Sequence, residues 1–188
     1  LRSWEDPSYG GWAGRFQKVF PNQSVMGQNY KPDSNGTLLG GLFNEAYDDG
    51  DRFKPLYRWL DELQTDFAAR MEWCTKSYDE ANHAPVIQLE EGLDFAAKRG
   101  DTITLTAKTY DPDGDQLTVE FWQYGDADTY GGDVELIAGE GDQVSFTVPE
   151  DAKIGDTIHI IVEAKDDYEL PMTRYQRAVV TVVDDTQE

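Results

Sequence analysis

Apolar and polar residues alternate along the second half of the chain, and turn-forming segments interrupt the alternation about every ten residues. Alternation with a period of two puts one face of a strand into a core and the other face into solvent. The pattern predicts seven strands, at residues 86–89, 102–109, 117–124, 134–138, 143–148, 157–164 and 173–183. Seven short strands in about 100 residues are typical of an antiparallel β-sandwich of the immunoglobulin type. The predicted fold class is therefore mostly β.

The core of this sandwich has to be built without a disulfide bond, because the chain contains 1 cysteine. A single cysteine also excludes a structural zinc site with four cysteine ligands. The inward positions of the predicted strands carry aliphatic and aromatic side chains instead. The expected core residues are Ile103, Leu105, Ala107, Val119, Phe121, Ile158, Ile160 and Val162, together with Trp122.

A different period marks the segment that precedes the strands. Apolar residues recur there at intervals of three and four, which predicts one amphipathic helix of roughly 24 residues. Pro55 stands at its start, where the missing N–H of proline is tolerated. The apolar stripe consists of Leu56, Trp59, Leu60, Leu63, Phe67, Met71, Cys74 and Tyr78. We expect this stripe to be buried, with Cys74 as an inert buried thiol.

Two glycine-rich segments come before the helix, at residues 9–16 and 36–42. Glycine at this density indicates a backbone that turns tightly or approaches another surface closely. Loops and one helix cannot bury their own aromatic side chains, so another part of the protein has to cover them. We therefore predict an incomplete domain at residues 1–82, with further sequence upstream, and a separate sandwich at residues 83–188.

The chain is acidic, with 37 Asp and Glu against 16 Lys and Arg and a net charge of −21. The excess lies in the sandwich, since residues 1–85 hold 9 basic and 13 acidic side chains and the remainder holds 7 and 24. A surface of this charge repels a phosphate backbone, which excludes nucleic acid as a partner. The sequence also lacks an apolar run of about 18 residues, so no membrane-spanning segment is expected.

The strongest short motif is the acidic turn from Asp111 to Asp115, between two predicted strands. Carboxylates at alternate positions around a glycine can direct several oxygen atoms at one hard cation, and Ca²⁺ takes six to eight oxygens. We predict a Ca²⁺ site formed by Asp111, Asp113 and Asp115, with Asp167 added from the end of a later strand. In the alternative interpretation, proline and glycine build the turn and the aspartates only cap backbone N–H groups.

Aromatic residues form a second group of candidates. Trp122, Tyr124 and Tyr130 lie on and after one predicted strand, and Trp12 lies in the first glycine-rich segment. Flat rings on an exposed face can stack against sugar rings, so these four are the candidate carbohydrate-binding residues. Two alternatives stay open for them, ordinary core packing and contact with another domain. Motifs for nucleophilic, phosphate-binding or paired His/Glu metal chemistry do not occur in the sequence.

Five motifs follow one another in the order found in a family of bacterial proteins, at residues 9–16, 66–74, 81–86, 111–115 and 124–130. The chain resembles the C-terminal portion of the cellulose-binding, nucleoside-hydrolase-like proteins, long classed as a domain of unknown function. The resemblance implies an immunoglobulin-like C-terminal domain after the helical and loop tail of an α/β nucleoside-hydrolase-like domain. It also implies a protein exported to the periplasm or the extracellular space. The Asp cluster with which nucleoside hydrolases hold Ca²⁺ would lie upstream, since this chain does not contain it.

Three functions follow as hypotheses. The preferred one is a noncatalytic module that binds cellulose or another plant polysaccharide. In the second, the chain is the accessory tail of a nucleoside or N-glycoside hydrolase whose catalytic Asp cluster lies upstream. In the third, the sandwich is a spacer that Ca²⁺ stiffens. Hydrolysis by this chain alone is not expected.

Overall fold

The computed structural model describes residues 1–18 and 43–184, so the second glycine-rich segment, at residues 36–42, lies outside the described residues. The chain divides into two compact units. The smaller unit is Arg2–Trp59, and the larger joins Leu1 to Leu60–Glu188. The helical segment before residue 82 thus belongs to the same compact unit as the strands that follow it. A domain boundary between residues 82 and 83 stays a prediction.

The smaller unit contains a fully buried carboxylate, that of Asp48. Arg15 Nε and Arg58 Nε reach its two oxygens at 2.8 and 3.2 Å. Two cations offset the cost of burying one charge, and the pairs tie three segments of the unit together. Its elements are a 3-10 helix at Pro7–Tyr9, the antiparallel pair β1 (Phe16–Lys18) and β2 (Phe43–Glu45), and the short helix α1 (Lys54–Tyr57).

The larger unit is a β-sandwich with one α-helix, α2 (Leu60–Glu72). Its strands are β3 (Val86–Leu89), β4 (Asp94–Ala97), β5 (Thr102–Tyr110), β6 (Leu117–Gln123), β7 (Ile137–Ala138), β8 (Gln143–Thr147), β9 (Thr157–Asp166) and β10 (Thr173–Val182). One sheet has the strand order β4-β10-β9-β6 and the other β3-β5-β8-β7. Neighbouring strands pair antiparallel, except that β4 and β10 are parallel. The predicted immunoglobulin-like sandwich is confirmed.

The core lies between the two sheets and is built by alternate residues of each strand. The expected aliphatic positions and Phe121 all contribute to it. Trp122 does not, because it follows Phe121 directly and therefore points to the outer face of β6. Strand β4 was not predicted, since its sequence, Asp94 to Ala97, has one large apolar side chain and no clear alternation.

The outer faces of the two sheets differ in exposure. Four outward residues of β9 and β10 are at most 4% exposed, namely His159, Ile161, Arg177 and Val179. Helix α2 lies against this side, where Arg174 Nη1 donates a hydrogen bond to Asp66 Oδ1 at 2.9 Å. Outward residues of β5 and β8 remain partly exposed, among them Thr104, Thr106, Gln143 and Ser145.

The predicted single helix is two helices, because α1 ends at Tyr57 and α2 begins at Leu60. The helical structure also ends earlier than predicted, at Glu72, so that Cys74 lies beyond it. Cys74 is exposed, and the prediction of a buried thiol is wrong. No helix among the described residues is long and apolar enough to cross a membrane.

Helix α2 turns its polar face towards the sandwich, which the apolar stripe did not suggest. Its buried residues are Asp66 and Ala69. Phe67 and Met71, from the stripe, are 65% and 52% exposed. The carboxylate of Asp66, whose side chain is 6% exposed, needs an opposite charge beside it, and Arg174 of the sheet and Arg70 of the helix provide it. The period of three and four residues locates the stripe correctly but does not identify the face that meets the sheet.

The exposed thiol gives a direct test of the early end of this helical segment, since Cys74 lies in solvent beyond α2. We expect Cys74 in the native protein to react with Ellman's reagent to one equivalent, because an accessible thiol needs no unfolding step. The rate should be within about tenfold of the rate in denaturant, since burial and not chemistry would be the main source of protection. Absorbance at the wavelength of the released thiolate measures both. A thiol that reacts only after unfolding would contradict the exposed position of Cys74.

Candidate functional site

The acidic turn joins β5 to β6 at one end of the sandwich. Carboxylate oxygens of Asp111, Asp113 and Asp115 lie within 4.8 Å of one another. Asp167, the fourth predicted ligand, lies beside this group, and its Oδ1 accepts a hydrogen bond from the Gln116 N–H at 3.0 Å. The structure therefore brings the three aspartates of the turn together, with Asp167 holding the strand that leaves it.

One oxygen of Asp111 builds the turn itself. Asp111 Oδ1 accepts hydrogen bonds from the N–H groups of Asp113, Gly114 and Asp115, at 2.8, 3.1 and 3.3 Å. Gly114 has a φ of 86°, which a residue with a Cβ rarely adopts. The capping role that the sequence left open as an alternative is thus real, but it occupies one oxygen of the carboxylate.

The other oxygen of Asp111 and one oxygen of Asp115 remain without a donor. Asp111 Oδ2 and Asp115 Oδ2 are shielded from solvent, and no hydrogen-bond donor in the described part of the chain reaches them. Burial raises the pKa of Asp115 above its usual value, and the negative charges of Asp111, Asp166 and Asp167 raise it further. Oxygen atoms shielded from water need a proton or a cation. Three converging carboxylates are hard oxygen donors of the kind that Ca²⁺ takes, so the residues fit that ion.

Asp113, the remaining aspartate of the turn, is hydrogen-bonded to the segment that precedes the sandwich. The His83 N–H donates to Asp113 Oδ2 at 2.6 Å, and His83 Nδ1 lies 2.9 Å from Asp113 Oδ1. His83 thus forms hydrogen bonds at the boundary between the helical segment and the sandwich. The ring of His83 also lies between Trp73 and Tyr78, with centroids 5.6 and 4.0 Å away. The acidic turn is thereby fastened to the chain that leads out of α2.

Sequence reasoning missed a second connection at this end. Asn82 Nδ2 donates to Asp166 Oδ2 and to the carbonyl oxygen of Leu170, both at 3.1 Å. Asp166 is 3% exposed, and the N–H of Met172 donates to its carboxylate as well. The sequence carried one local signal near this contact, an amide side chain two residues before the Ala-Pro pair that leads into β3.

The two candidate carbohydrate-binding residues on and directly after β6, Trp122 and Tyr124, are largely withdrawn from solvent. Tyr124 is fully buried, with the guanidinium carbon of Arg177 5.2 Å from its ring centroid. A fully buried ring has no face to offer to a sugar. Trp122 is half-buried, lies 5.5 Å from Tyr124 between centroids, and donates from Nε1 to Glu163 Oε2 at 3.1 Å.

The other two rings are also engaged, and they lie in different places. Tyr130 is half-buried against the core, and its hydroxyl donates to Asp151 Oδ1 at 2.8 Å. Trp12 is half-buried in the smaller unit, within the tight turn formed by Gly11 and Gly14. The structure therefore brings together Trp122 and Tyr124, and places Tyr130 and Trp12 elsewhere.

The fold and the acidic turn define this protein as an immunoglobulin-like β-sandwich with a helical segment bound to one of its sheets. Residues 102–182, from β5 to β10, match the family model described as the C-terminal domain of the cellulose-binding protein Sde0182. The resemblance to the cellulose-binding, nucleoside-hydrolase-like proteins is confirmed by this match. A search of the curated proteins gives no match.

Solved structures extend the likeness beyond the sandwich. A nucleoside hydrolase-related hypothetical protein from Saccharophagus degradans, associated with carbohydrate metabolism, is 28% identical and has a TM-score of 0.73. The match covers 94% of this chain and 43% of that protein, so the chain spans less than half of its relative. The titin M3 domain is 17% identical over 52% of this chain and 97% of its own, with a TM-score of 0.33. A PKD domain from the KIAA 1837 protein is 19% identical over 54% and 92%, with a TM-score of 0.35.

The burial of Glu163, the hydrogen-bond acceptor of Trp122, predicts a pH-dependent stability. Burial raises the pKa of Glu163, and the charges of Glu120 and Glu62 raise it further, against the hydrogen bond from Trp122. A carboxyl whose pKa is raised by folding holds its proton more tightly in the folded state. Its contribution to stability is complete below the unfolded pKa and is lost as the pH rises through the folded pKa.

Glu163→Gln keeps an acceptor for Trp122 and removes the charge. We expect the variant to melt at a higher temperature than the unmodified protein at pH 8, with the difference vanishing near pH 4, where both side chains are neutral. Glu140→Gln, at an exposed position between β7 and β8, is the control and should change the melting temperature little at either pH. An equal shift for Glu163→Gln at both pH values would show that the charge is not the cause.

Proposed function

We propose that this chain is a noncatalytic carbohydrate-binding module whose ligand is cellulose or a related plant polysaccharide. The supporting observation is the match of residues 102–182 to the C-terminal domain of a cellulose-binding protein. The similar protein from Saccharophagus degradans, which is associated with carbohydrate metabolism, points to the same class of ligand.

The chemistry of the surface fits a neutral ligand better than a charged one. A net charge of −21 repels anionic polymers and gives no attraction to an uncharged glucan. Affinity for cellulose would then come from aromatic stacking and from hydrogen bonds to sugar hydroxyls. Neither contribution is screened by salt to the extent that an ion pair is.

We further propose that the module belongs to a larger exported bacterial protein with a nucleoside-hydrolase-like domain upstream. The similar solved protein is more than twice as long as the region matched here. The exposed stripe of α2, formed by Leu60, Phe67 and Met71, is a surface that such a domain would cover, since apolar side chains 41%, 65% and 52% exposed are costly in water. In that arrangement the chain could instead serve as the accessory tail of a nucleoside or N-glycoside hydrolase. Assaying nucleoside hydrolysis with the full-length protein and with this chain separates the two roles.

A pull-down with insoluble cellulose tests the carbohydrate proposal. We expect the chain to be retained, with a retained fraction that changes less than about twofold between low salt and about 0.5 M NaCl, because the ligand is neutral. Polygalacturonate, an anionic polymer, is the matched control and should retain nothing. Passage of the chain through cellulose at every salt concentration would refute the proposal.

We also propose that Ca²⁺ binds the turn at Asp111, Asp113 and Asp115. The proposal is supported by their converging oxygens and by the two shielded oxygens that have no donor in the described part of the chain. The ion would compensate the mutual repulsion of the carboxylates and would fix the end of the sandwich to which His83 is bound. By fixing this end of the sandwich, Ca²⁺ would stiffen the module.

Thermal melting tests the calcium proposal. Millimolar Ca²⁺ should raise the melting temperature relative to chelator, because a ligand that binds only the folded state stabilises it by mass action. Changing all three aspartates to Asn preserves acceptors for the turn and should abolish the response. Asp133→Asn, at an exposed position outside the turn, should leave it intact. A shift that NaCl of equal ionic strength reproduces would indicate screening of charge and would contradict a specific site.

A further inference from the structure

The outer face of the sheet β3-β5-β8-β7 carries a continuous row of uncharged hydrogen-bonding side chains. The register of β5 and β8 places them opposite one another in three successive outward pairs, Thr102 with Thr147, Thr104 with Ser145, and Thr106 with Gln143. The last pair is joined by a hydrogen bond of 3.1 Å from Gln143 Nε2 to Thr106 Oγ1. The row is uncharged over these three pairs, and it is bordered by Glu91, whose Oε2 accepts a hydrogen bond from the Thr106 N–H at 2.8 Å, and by Lys108, the next outward residue of β5.

An exposed aromatic ring stands beyond this row on the same face of β5, separated from Thr106 by Lys108. Tyr110, the last residue of β5, is 62% exposed and lies opposite Val86 of β3, which is 39% exposed. A groove of about 550 Å³ opens beside the ring, with Gln88, Lys108, Thr109 and Asp142 in its walls. This volume is within the range of small-ligand pockets, about 300 to 1,000 Å³.

The groove contains two charged side chains. Lys108 forms an ion pair with Glu90, and Asp142 Oδ2 accepts a hydrogen bond from Thr109 Oγ1 at 3.5 Å. The groove therefore offers a ring, an apolar wall, an amide and hydroxyls beside an ion-paired amine and one carboxylate. These are the groups that recognise an uncharged sugar, which has apolar ring faces and hydroxyls at its edges.

The opposite sheet of the sandwich provides no comparable surface on its central strands. The outward side chains of β9 and β10 named above are at most 4% exposed, and Tyr124 is fully buried. Trp122 and Tyr130, the other rings of the sandwich considered for sugar binding, are half-buried and use their polar atoms on Glu163 and Asp151. Tyr110 has more of its ring surface in solvent than any of these three.

We infer that the outer face of β3-β5-β8 binds a neutral polysaccharide chain, with Tyr110 stacking on one sugar ring. The hydroxyl and amide row of β5 and β8 then bonds to the hydroxyls of the following units, along a track of several residues at about 3.4 Å each. This inference rests on the proposed function, since it names the surface that would carry cellulose binding. The stacking ring is then Tyr110, in place of the four aromatic residues that the sequence suggested.

Affinity electrophoresis in hydroxyethylcellulose and titration with cellohexaose test this surface in the whole chain. Tyr110→Ala should weaken binding several-fold to about tenfold, the size expected for one stacked ring. Tyr110→Phe keeps the ring and should bind within about twofold of the unmodified protein, since it loses no stacking surface. Tyr47→Ala removes a tyrosine of similar exposure, 53%, from the smaller unit and should change nothing.

Thr104→Lys tests the row independently of the ring. A long charged side chain at a partly exposed outward position should block the track and weaken binding at least as much as Tyr110→Ala, while the melting temperature stays within a few degrees. If the unmodified protein binds and both variants bind equally well, the surface is wrong and the proposed function stands. If the unmodified protein binds neither probe, the proposed function fails, and this inference fails with it.

Discussion

The burial of strands β9 and β10 on both faces is the constraint on which the rest of the larger unit depends. Their inward residues meet the other sheet, and four outward residues, His159, Ile161, Arg177 and Val179, are withdrawn from water as well. A strand buried on both sides reads as a nearly continuous apolar run, as Ile158 to Val162 does apart from one histidine. Such a sheet cannot stand alone in solvent and has to be covered.

The polar groups within that covered face determine how it is covered. Arg177 is fully buried, and its Nη1 lies 2.8 Å from His159 Nδ1 while its Nε donates to the carbonyl oxygen of Leu1 at 2.9 Å. Arg174, three residues earlier in β10, donates a hydrogen bond to the carboxylate of Asp66 from α2, whose side chain is 6% exposed. Because a buried carboxylate without a partner is far more costly than an exposed apolar side chain, the helix presents its acidic side to the sheet. Phe67 and Met71 are left in solvent as the consequence.

The sequence predicted the features that depend on neighbouring residues in the chain. It missed those that depend on contacts between distant segments. Alternation located seven of the eight sandwich strands, because each has one face in the core. It could not find β4, whose place is fixed by parallel pairing with β10. In the acidic turn, spacing and glycine predicted the convergence of Asp111, Asp113 and Asp115, since all three lie in one short loop. The clamp of His83 on Asp113 spans 30 residues and has no local signature. Tyr110 was overlooked because an outward ring at a strand end has the same pattern as an inward one.

The acidic turn and the open face of the other sheet share strand β5. Tyr110 ends that strand. The carboxylate of Asp111, the next residue, accepts hydrogen bonds from three N–H groups of the turn. The path that the backbone takes directly after Tyr110 is therefore fixed by the hydrogen bonds of the turn. Asp113 is in turn held by His83, which leads back to α2. Hydrogen bonds thus connect the helical segment to Asp111, the residue that follows Tyr110, so the acidic end of the sandwich borders the face that we infer to meet the polysaccharide.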